Sequence, residues 1–583
     1  MPTDAIRTPP PAPESDTDTC QPAPAEHPEI VEPTHPTLHP ALSDTQLECV
    51  ASLGACRVYK KGETIFRHGQ RDAPFVVLKA GGANIFERQA CGTRTLIAKV
   101  IERRFIGDLA MFTGEPTLAE CEAAERCEAY ALDRHQLRKL INDHADTGEL
   151  ILKCLMERRE WLRGNEIGYI RVIGSRFDPK AYDLRDFLSR NGVMFHFFDL
   201  EEQSEQTKRM LGYFDVTPEQ TPVLIHSAGV EREPTIDHVA NQLGLCPDLD
   251  PDEVWDVAVV GGGPGGLGAA VYAASEGLKT LVLEGRSPGG QAGQSSRIEN
   301  YLGFPTGLSG LELAQRAVLQ AKKFGALLVN PRRAVSLHDT KDLKTLTLCD
   351  GSKVKARSIV LACGADYRKL PSCPERYDNK GVYYGASHTE AERCEGETAV
   401  VIGGGNSAGQ AAVNLAKHAA CVKLVIRRGG LEATMSDYLI QRVTATKKIE
   451  LVTHREIEAC HGDDKLDAVT LCDSRTKQGC ETIDACAVFA MVGADPRTDW
   501  LHGCVGLDDK CFVVTGQAAE AHPDFADHWG DTERRPGHLE TTRPGIFAVG
   551  DVRHGAINRV AAAIGEGGMA VTFVHRALAA ANA

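Results

Sequence analysis

Apolar positions along the chain change their rhythm four times, and each change predicts a different kind of structure. Residues 1–40 show almost no apolar periodicity and hold 11 of the 29 prolines, which predicts a disordered tail. From 41 to 163, short apolar runs broken by glycine, as at 61–69 and 75–81, predict a β-rich module closed by a charged helical stretch over 134–161. The pattern over 164–247 predicts strand 169–174, helix 182–190, strands 194–200 and 222–226, and helix 235–243. Beyond a linker at 247–251, residues 252–583 alternate β-branched runs with small-residue helical stretches, as a parallel doubly wound sheet does.

Two of those apolar runs enter a glycine-rich turn and leave into a helix: Val259-Val260-Gly261-Gly262-Gly263-Pro264-Gly265-Gly266, and Val400-Val401-Ile402-Gly403-Gly404-Gly405-Asn406-Ser407-Ala408. This is the chemistry of a dinucleotide site. Gly261 and Gly403 make the tight turn, Gly263 and Gly405 let backbone approach a pyrophosphate, and Gly266 and Ala408 let the helix lie close to the strand. The phosphates then meet the unpaired N–H groups and positive dipole end of a helix. After the first turn, the strand 279–283 ends in Glu284, a carboxylate placed to accept hydrogen bonds from a ribose diol unless it is simply a strand-end charge. After the second, the strand 422–426 ends in Arg427 and Arg428, with no acid there. Two guanidiniums suit the 2′-phosphate of NADP, unless they are a surface basic pair with relaxed cofactor choice. Two dinucleotides in one chain imply electron transfer between them.

Composition narrows the remaining classes. The net charge of −15, without a basic stripe, argues against nucleic acid as a partner. No run reaches the ~18 apolar residues of a membrane span and no apolar leader opens the chain, so a cytoplasmic protein is expected. Nineteen dispersed cysteines predict reduced thiols rather than a disulfide framework, none of them spaced Cys-x-x-Cys. No metal site is expected.

Further motifs lie at Gly289-Gly290-Gln291, Glu299-Asn300-Tyr301, Pro544-Gly545-Ile546-Phe547-Ala548-Val549-Gly550-Asp551 and Arg559-Val560-Ala561. With these, residues 254–583 closely resemble the thioredoxin reductase family of pyridine nucleotide–disulfide oxidoreductases. The resemblance implies FAD and NADPH as cofactors, with hydride passing from NADPH to FAD and then to an acceptor. It implies that Asp551 binds the ribityl chain, that Arg559, Val560 and Ala561 lie near the isoalloxazine ring, and that Gln291 and Asn300 contact the cofactor. Family members carry His-Arg-Arg and a further arginine at the 2′-phosphate; here the flanking positions are Ile426 and Glu432. Bacterial members also carry Cys-Ala-Thr-Cys-Asp before the second glycine turn. The aligned pentapeptide here is Gly385-Ala386-Ser387-His388-Thr389, with neither sulfur nor acid. His388 stands in the second cysteine's place, as an ordinary histidine or as a proton donor to reduced flavin. Cys363 is read as a small buried residue rather than a nucleophile.

Residues 41–163 resemble the cyclic-nucleotide-binding β-roll of the catabolite-activator family, where Gly107 and Asp108 would hold ribose and phosphate. The arginine that neutralises the cyclic phosphate should fall near Thr117 and is absent. No helix-turn-helix follows. Residues 164–247 resemble a glutaredoxin-type thioredoxin fold, with Asp178-Pro179-Lys180-Ala181 in place of the redox Cys-Pro-x-Cys and Thr221-Pro222 matching the family's cis-proline. The expected organisation is a tail at 1–40, a β-roll at 41–163, a thioredoxin-like α/β domain at 164–247, an FAD domain at 252–375 and 505–583, and an NADPH domain at 376–504, the last two Rossmann-like, in a homodimer. The acceptor stays open: a disulfide reached through other cysteines, a small redox protein as in ferredoxin–NADP reductases, or no acceptor, in a redox or nucleotide sensor.

Overall fold

Strands rich in β-branched and aromatic residues form the centres of the main sheets in the computed structural model, such as Phe75–Ala80 and Val254–Val260; it describes residues 30–88, 93–168, 170–226, 229–340, 343–386, 388–463, 465–530 and 534–581. The chain forms two compact units, one from residues 1–176 and 192–247, the other from 177–191 and 248–583.

In the first unit, two antiparallel four-stranded sheets make the roll. One runs Ala55–Tyr59, Cys127–Leu132, Phe75–Ala80, Phe105–Ile106; the other Thr64–Phe66, Glu120–Ala123, Gly82–Arg88, Arg94–Ile101. Phe75, Val76, Val77 and Leu78 are all buried, and Phe75 lies 5.3 Å from Phe105, ring to ring. The helices Arg134–Asp143 and Ala145–Gly164 follow.

The expected tail does not extend to residue 40. Val31 bridges Ala98, its N–H donating to the Ile97 carbonyl at 2.9 Å, and Val31 and Leu38 are buried against Ala98. Three apolar residues among prolines, Ile30, Val31 and Leu38, are too sparse to show a period. Residues 1–29 lie outside the described residues. Arg158 fastens this segment: its buried guanidinium donates to the carbonyls of Leu38 (2.7 Å), Gly107 (2.7 Å) and Phe105 (2.9 Å), and meets His39 Nδ1 at 3.2 Å. Burial first, then Arg158, pushes His39 down from 6.5 to about 3. The folded ring therefore stays neutral while the unfolded one takes a proton below 6.5, so stability is present above that pH and drains away as pH falls toward 3. Between pH 7 and 5 this linkage removes ~2 kcal/mol, a loss that His39→Gln should abolish. Urea unfolding of this unit at both pH values checks it, and parallel losses in wild type and variant would refute it.

A further sheet in the first unit has the order Phe195–Asp199, Ile170–Gly174, Val223–His226, Gly229–Arg232, its first pair parallel and the rest antiparallel. The strand expected from 169 begins at 170, residue 169 being outside the described set. The helix Glu205–Tyr213 and the strand Gly229–Arg232 went unpredicted. The Thr221–Pro222 peptide is cis.

In the second unit, the first parallel sheet holds Leu327–Val329, Thr280–Leu283, Val254–Val260 and Lys353–Leu361, with Ile546–Ala548 also beside the last and an antiparallel pair, Lys344–Leu348 and Ala334–Asp339, at the edge. The helices Pro264–Ser275 and Val560–Ala581 press together because their faces are glycine and alanine; a Cβ on Gly567 would stand 2.2 Å from the Gly265 carbonyl oxygen. The second sheet is five parallel strands, Val382–Tyr383, Ala487–Ala490, Thr398–Ile402, Cys421–Val425 and Ile449–Val452. An antiparallel trio, Arg455–His461, Ala468–Asp473 and Glu481–Asp484, follows it. The expectation of wholly reduced thiols fails here: Cys373 is bonded to Cys460 and Cys472 to Cys480. These partners lie 87 and 8 residues apart, with no spacing motif to announce them.

Candidate functional site

The two glycine turns sit where parallel strands end and helices begin, at the carboxyl edge of each sheet. Gly261 has φ +110° and Gly403 φ +138°; a Cβ on either would stand 2.3 Å from a backbone carbonyl oxygen, of Ala362 or Met491. The fold itself demands glycine at those two places. It makes no such demand at Gly263 or Gly405. Gly263 has φ −74° and Gly405 φ −93°, and a Cβ would find only the Gly290 Cα at 3.8 Å or the Thr434 carbonyl at 4.0 Å. Both cap a helix, Pro264–Ser275 and Asn406–Leu415, without any side chain on its first N–H groups. Space that only glycine leaves open, in front of unpaired donors, fits a pyrophosphate.

Around the first turn, the Glu284 carboxylate accepts from the N–H of Gly262 (2.7 Å) and of Arg286 (2.9 Å), one bond per oxygen, with lone pairs left for a diol. Gly289 donates to the Gly262 carbonyl at 2.7 Å, which draws the 289–291 loop onto the turn, and Gln291 Nε2 donates to the Ala365 carbonyl. Asp551 lies in the short turn Gly550–Val552; burial raises its pKa against a hydrogen bond from Asn558. Sequence reasoning missed what holds it there. Glu566 accepts from the Gly550 N–H at 2.7 Å and pairs with Arg553. Arg559, Val560 and Ala561 open the helix Val560–Ala581, with Arg559 and Ala561 exposed. Asn300 is exposed beside Glu299, which pairs with Arg442. Gly261, Gly263, Gly266, Glu284, Gln291 and Asp551 thus gather at one sheet edge, and Asn300 is exposed in the loop before Tyr301.

At the second turn, Thr434 Oγ1 donates to the Gly404 carbonyl at 2.6 Å, so the loop after Arg427 and Arg428 folds back over the glycines. Both arginines are exposed at the strand end, and Ala408 is buried in the helix.

At the place aligned with the family dithiol, a Cβ on Gly385 would stand 2.9 Å from Gln294 Oε1, a buried oxygen without a hydrogen-bond partner. Ser387 and the side chain of His388 lie outside the described residues; the His388 backbone opens the helix His388–Glu392. Two residues on, buried Glu390 accepts from the Tyr182 hydroxyl at 2.5 Å, and burial pushes that phenol well above its ordinary value. Cys363 is free, and burial pushes its thiol up to about 12; Cys373 is bonded to Cys460.

In the roll, Gly107 is explained internally: a Cβ there would meet Phe75 and Met111 at 2.9 Å. Asp108 is spent as the cap of the helix Leu109–Thr113, accepting from the Ala110 N–H at 2.8 Å, and burial raises its pKa. Thr117 is buried, its hydroxyl donating to the Arg67 carbonyl at 2.7 Å.

Two family models match the chain: "Pyridine nucleotide-disulphide oxidoreductase" over residues 255–567 and "Cyclic nucleotide-binding domain" over 56–144. A thioredoxin reductase of Streptomyces clavuligerus is 32% identical over 335 residues, 56% of this chain and 95% of that protein. An NADH dehydrogenase of Ferdinandcohnia aciditolerans is 30% identical over 340 residues, 58% of this chain and 60% of that protein. The crystal structure of Lactococcus lactis thioredoxin reductase superposes with a TM-score of 0.50 at 28% identity, covering 56% of this chain and 99% of that one. The family uses FAD and NADPH. Among the described residues no helix is long and apolar enough to cross a membrane. With more than half its length matched and the two glycine turns built as they are, the chain belongs to the pyridine nucleotide-disulphide oxidoreductase family, as a thioredoxin-reductase-like, FAD- and NAD(P)H-dependent oxidoreductase with a cyclic nucleotide-binding domain in front.

Proposed function

We propose that this protein is an NADPH oxidoreductase that serves its acceptor, a small redox protein, without a dithiol beside the flavin. The observation that carries this is the pair Gly263 and Gly405, glycines the fold does not need in front of two uncapped helices. Bound FAD supplies the two-electron chemistry between NADPH and acceptor. The chain's own task is to hold and orient. Gly263 and the N–H groups behind it receive the flavin's pyrophosphate, Glu284 its ribose and Asp551 its ribityl chain. Gln291, Asn300 and the 559–561 segment frame the ring, and His388 is the candidate proton donor. Gly405 and Ala408 admit the second nucleotide, with Arg427 and Arg428 on its 2′-phosphate.

That last assignment separates NADPH from NADH, which matters because one relative is named an NADH dehydrogenase. Anaerobic reduction of the flavin should show a lower Kd for NADPH than for NADH. Arg427→Ala with Arg428→Ala should cost NADPH at least about tenfold, since a charge-assisted bond is worth roughly 1.5–3 kcal/mol. An unchanged NADPH/NADH ratio would refute the assignment.

The order and pairing of the sheet at 170–232, with its cis Thr221–Pro222, support reading 164–247 as a thioredoxin-like module. Lacking cysteine at 178–181 it has no thiol to exchange, and we assign it a docking role. The roll is a cyclic-nucleotide-binding fold turned to another use. Asp108 caps its own helix, Thr117 binds backbone where the phosphate-neutralising arginine is expected, and Arg159, whose charge acts on Asp108, pairs with Glu115 at 3.8 Å. Calorimetry with cyclic AMP or GMP should show no binding below about 100 μM, since an unpaired phosphate charge is costly to bury. Low-micromolar binding would mean that another cation has replaced the missing one.

A further inference from the structure

Resting on the NADPH reading above, we propose that His454 and Arg475, carried on separate segments, complete the 2′-phosphate site begun by Arg427 and Arg428. Glu432, exposed in the loop that follows those arginines, carries the wrong sign for a phosphate. Backbone bonds bring two other basic residues to the same strand end. The His454 N–H donates to the Arg428 carbonyl at 3.2 Å, and the Arg455 N–H to the Ile426 carbonyl at 3.1 Å. His454 itself is held at φ +55°, and its ring lies so close that a Cβ on Gly429 would stand 3.0 Å from Nε2. Its Nδ1 is buried with no hydrogen-bond partner, a polar atom waiting for one.

The hairpin after Asp473 supplies a further guanidinium. Ser474 donates twice into this end, from its N–H to the His454 carbonyl (3.0 Å) and from Oγ to the Arg427 carbonyl (2.9 Å). The Cys472–Cys480 bond closes the hairpin that carries it. Arg475 is therefore one residue, ~3.8 Å of chain, from a direct bond to Arg427. Its guanidinium is exposed and, among the described residues, meets Asp473 at 3.5 Å, a long ion pair of the weak kind that a phosphate dianion can displace. The neighbouring Arg455 and Lys477 are engaged elsewhere, on the Gly479 carbonyl and Glu456. The charged and titratable groups described at this strand end are Arg427, Arg428, His454, Arg455 and Arg475, with Glu432 and Asp473. The chemistry that fits is a phosphomonoester on an adenosine ribose.

The test is calorimetry of adenosine 2′,5′-bisphosphate and of 5′-AMP on the FAD-loaded full chain. Wild type should prefer the bisphosphate by at least about tenfold. His454→Asn keeps a residue that tolerates positive φ, and with Arg475→Ala it should cut that preference about fivefold in each case. Asp473→Asn frees Arg475 and should tighten the bisphosphate about twofold, a gain that misfolding cannot produce. Four outcomes overturn the proposal: wild-type preference retained in both His454→Asn and Arg475→Ala; equal losses for bisphosphate and 5′-AMP; no gain in Asp473→Asn; or no preference in wild type. The last alone also overturns the NADPH reading, whereas the first, with the preference lost in Arg427→Ala/Arg428→Ala, leaves that reading standing.

Discussion

Gly263→Val yields a folded, colourless protein. The variant side chain enters the only region around that turn where the chain places nothing nearer than the Gly290 Cα, 3.8 Å from a Cβ, so the secondary structure survives. What it excludes is the approach of a pyrophosphate to the N-terminus of Pro264–Ser275, and FAD affinity should fall at least a hundredfold, about 3 kcal/mol. Gly261→Val behaves differently. It forces a branched residue into φ +110° and against the Ala362 carbonyl oxygen, so it should lose the fold along with the flavin. Circular dichroism and flavin absorbance after gel filtration separate the two. A yellow Gly263→Val protein with full FAD content would show that the open space at this turn belongs to no cofactor.

Anaerobic titration of the purified protein consumes about two reducing equivalents per FAD, not the four that a flavin with a communicating disulfide absorbs. The segment aligned with the family dithiol offers Gly385, set against Gln294, and His388. Cys363, behind the first glycine turn, has its thiol pushed up to about 12 by burial, so at neutral pH it is almost wholly protonated and a poor nucleophile. Cys373–Cys460 is walled into the apolar core of the second sheet by Tyr377, Val382, Ile457 and Leu466. Alkylating NADPH-reduced protein should leave reduction of an artificial dye intact, and thioredoxin reduction should stay near background. Uptake of four equivalents, or dye reduction lost on alkylation, would return the protein to the disulfide reductases that work through cysteines of their own.

Both glycine turns were legible because their constraint is local: a steric demand at Gly261 and Gly403, a steric permission two residues later, and Glu284 one strand on. The parallel sheets followed from the same reasoning, since runs such as Val257–Val260, buried on both faces, have no polar alternation. Contacts between distant segments left no such mark. Tyr182 meets Glu390 across 208 residues, Arg190 meets Ser287 across 97, and Cys373 meets Cys460 across 87. Each is an ordinary residue type in an ordinary local pattern. The hold of Val31 and Leu38 on the roll was hidden for a related reason, because prolines around them erase any helical or strand period.

The helix Pro179–Arg190 belongs with the oxidoreductase unit although it precedes the matched family segment by more than sixty residues. Arg190 donates to the Ser287 and Gly290 carbonyls at 3.2 and 3.0 Å, Asn191 to Ser287 Oγ at 3.1 Å, and Arg286 pairs with Asp183 and Asp186. Across the same helix, Tyr182 serves Glu390 and lies under Arg393. Homology and folding therefore draw their borders in different places. A polypeptide started at residue 252 would inherit every nucleotide motif and still be missing a wall. It would leave the buried Glu390 carboxylate without its hydroxyl donor, a debt of roughly 1–3 kcal/mol before any packing is counted. The reductase here is not a detachable module: the helix Pro179–Arg190 covers surface that the family segment alone would leave open to water.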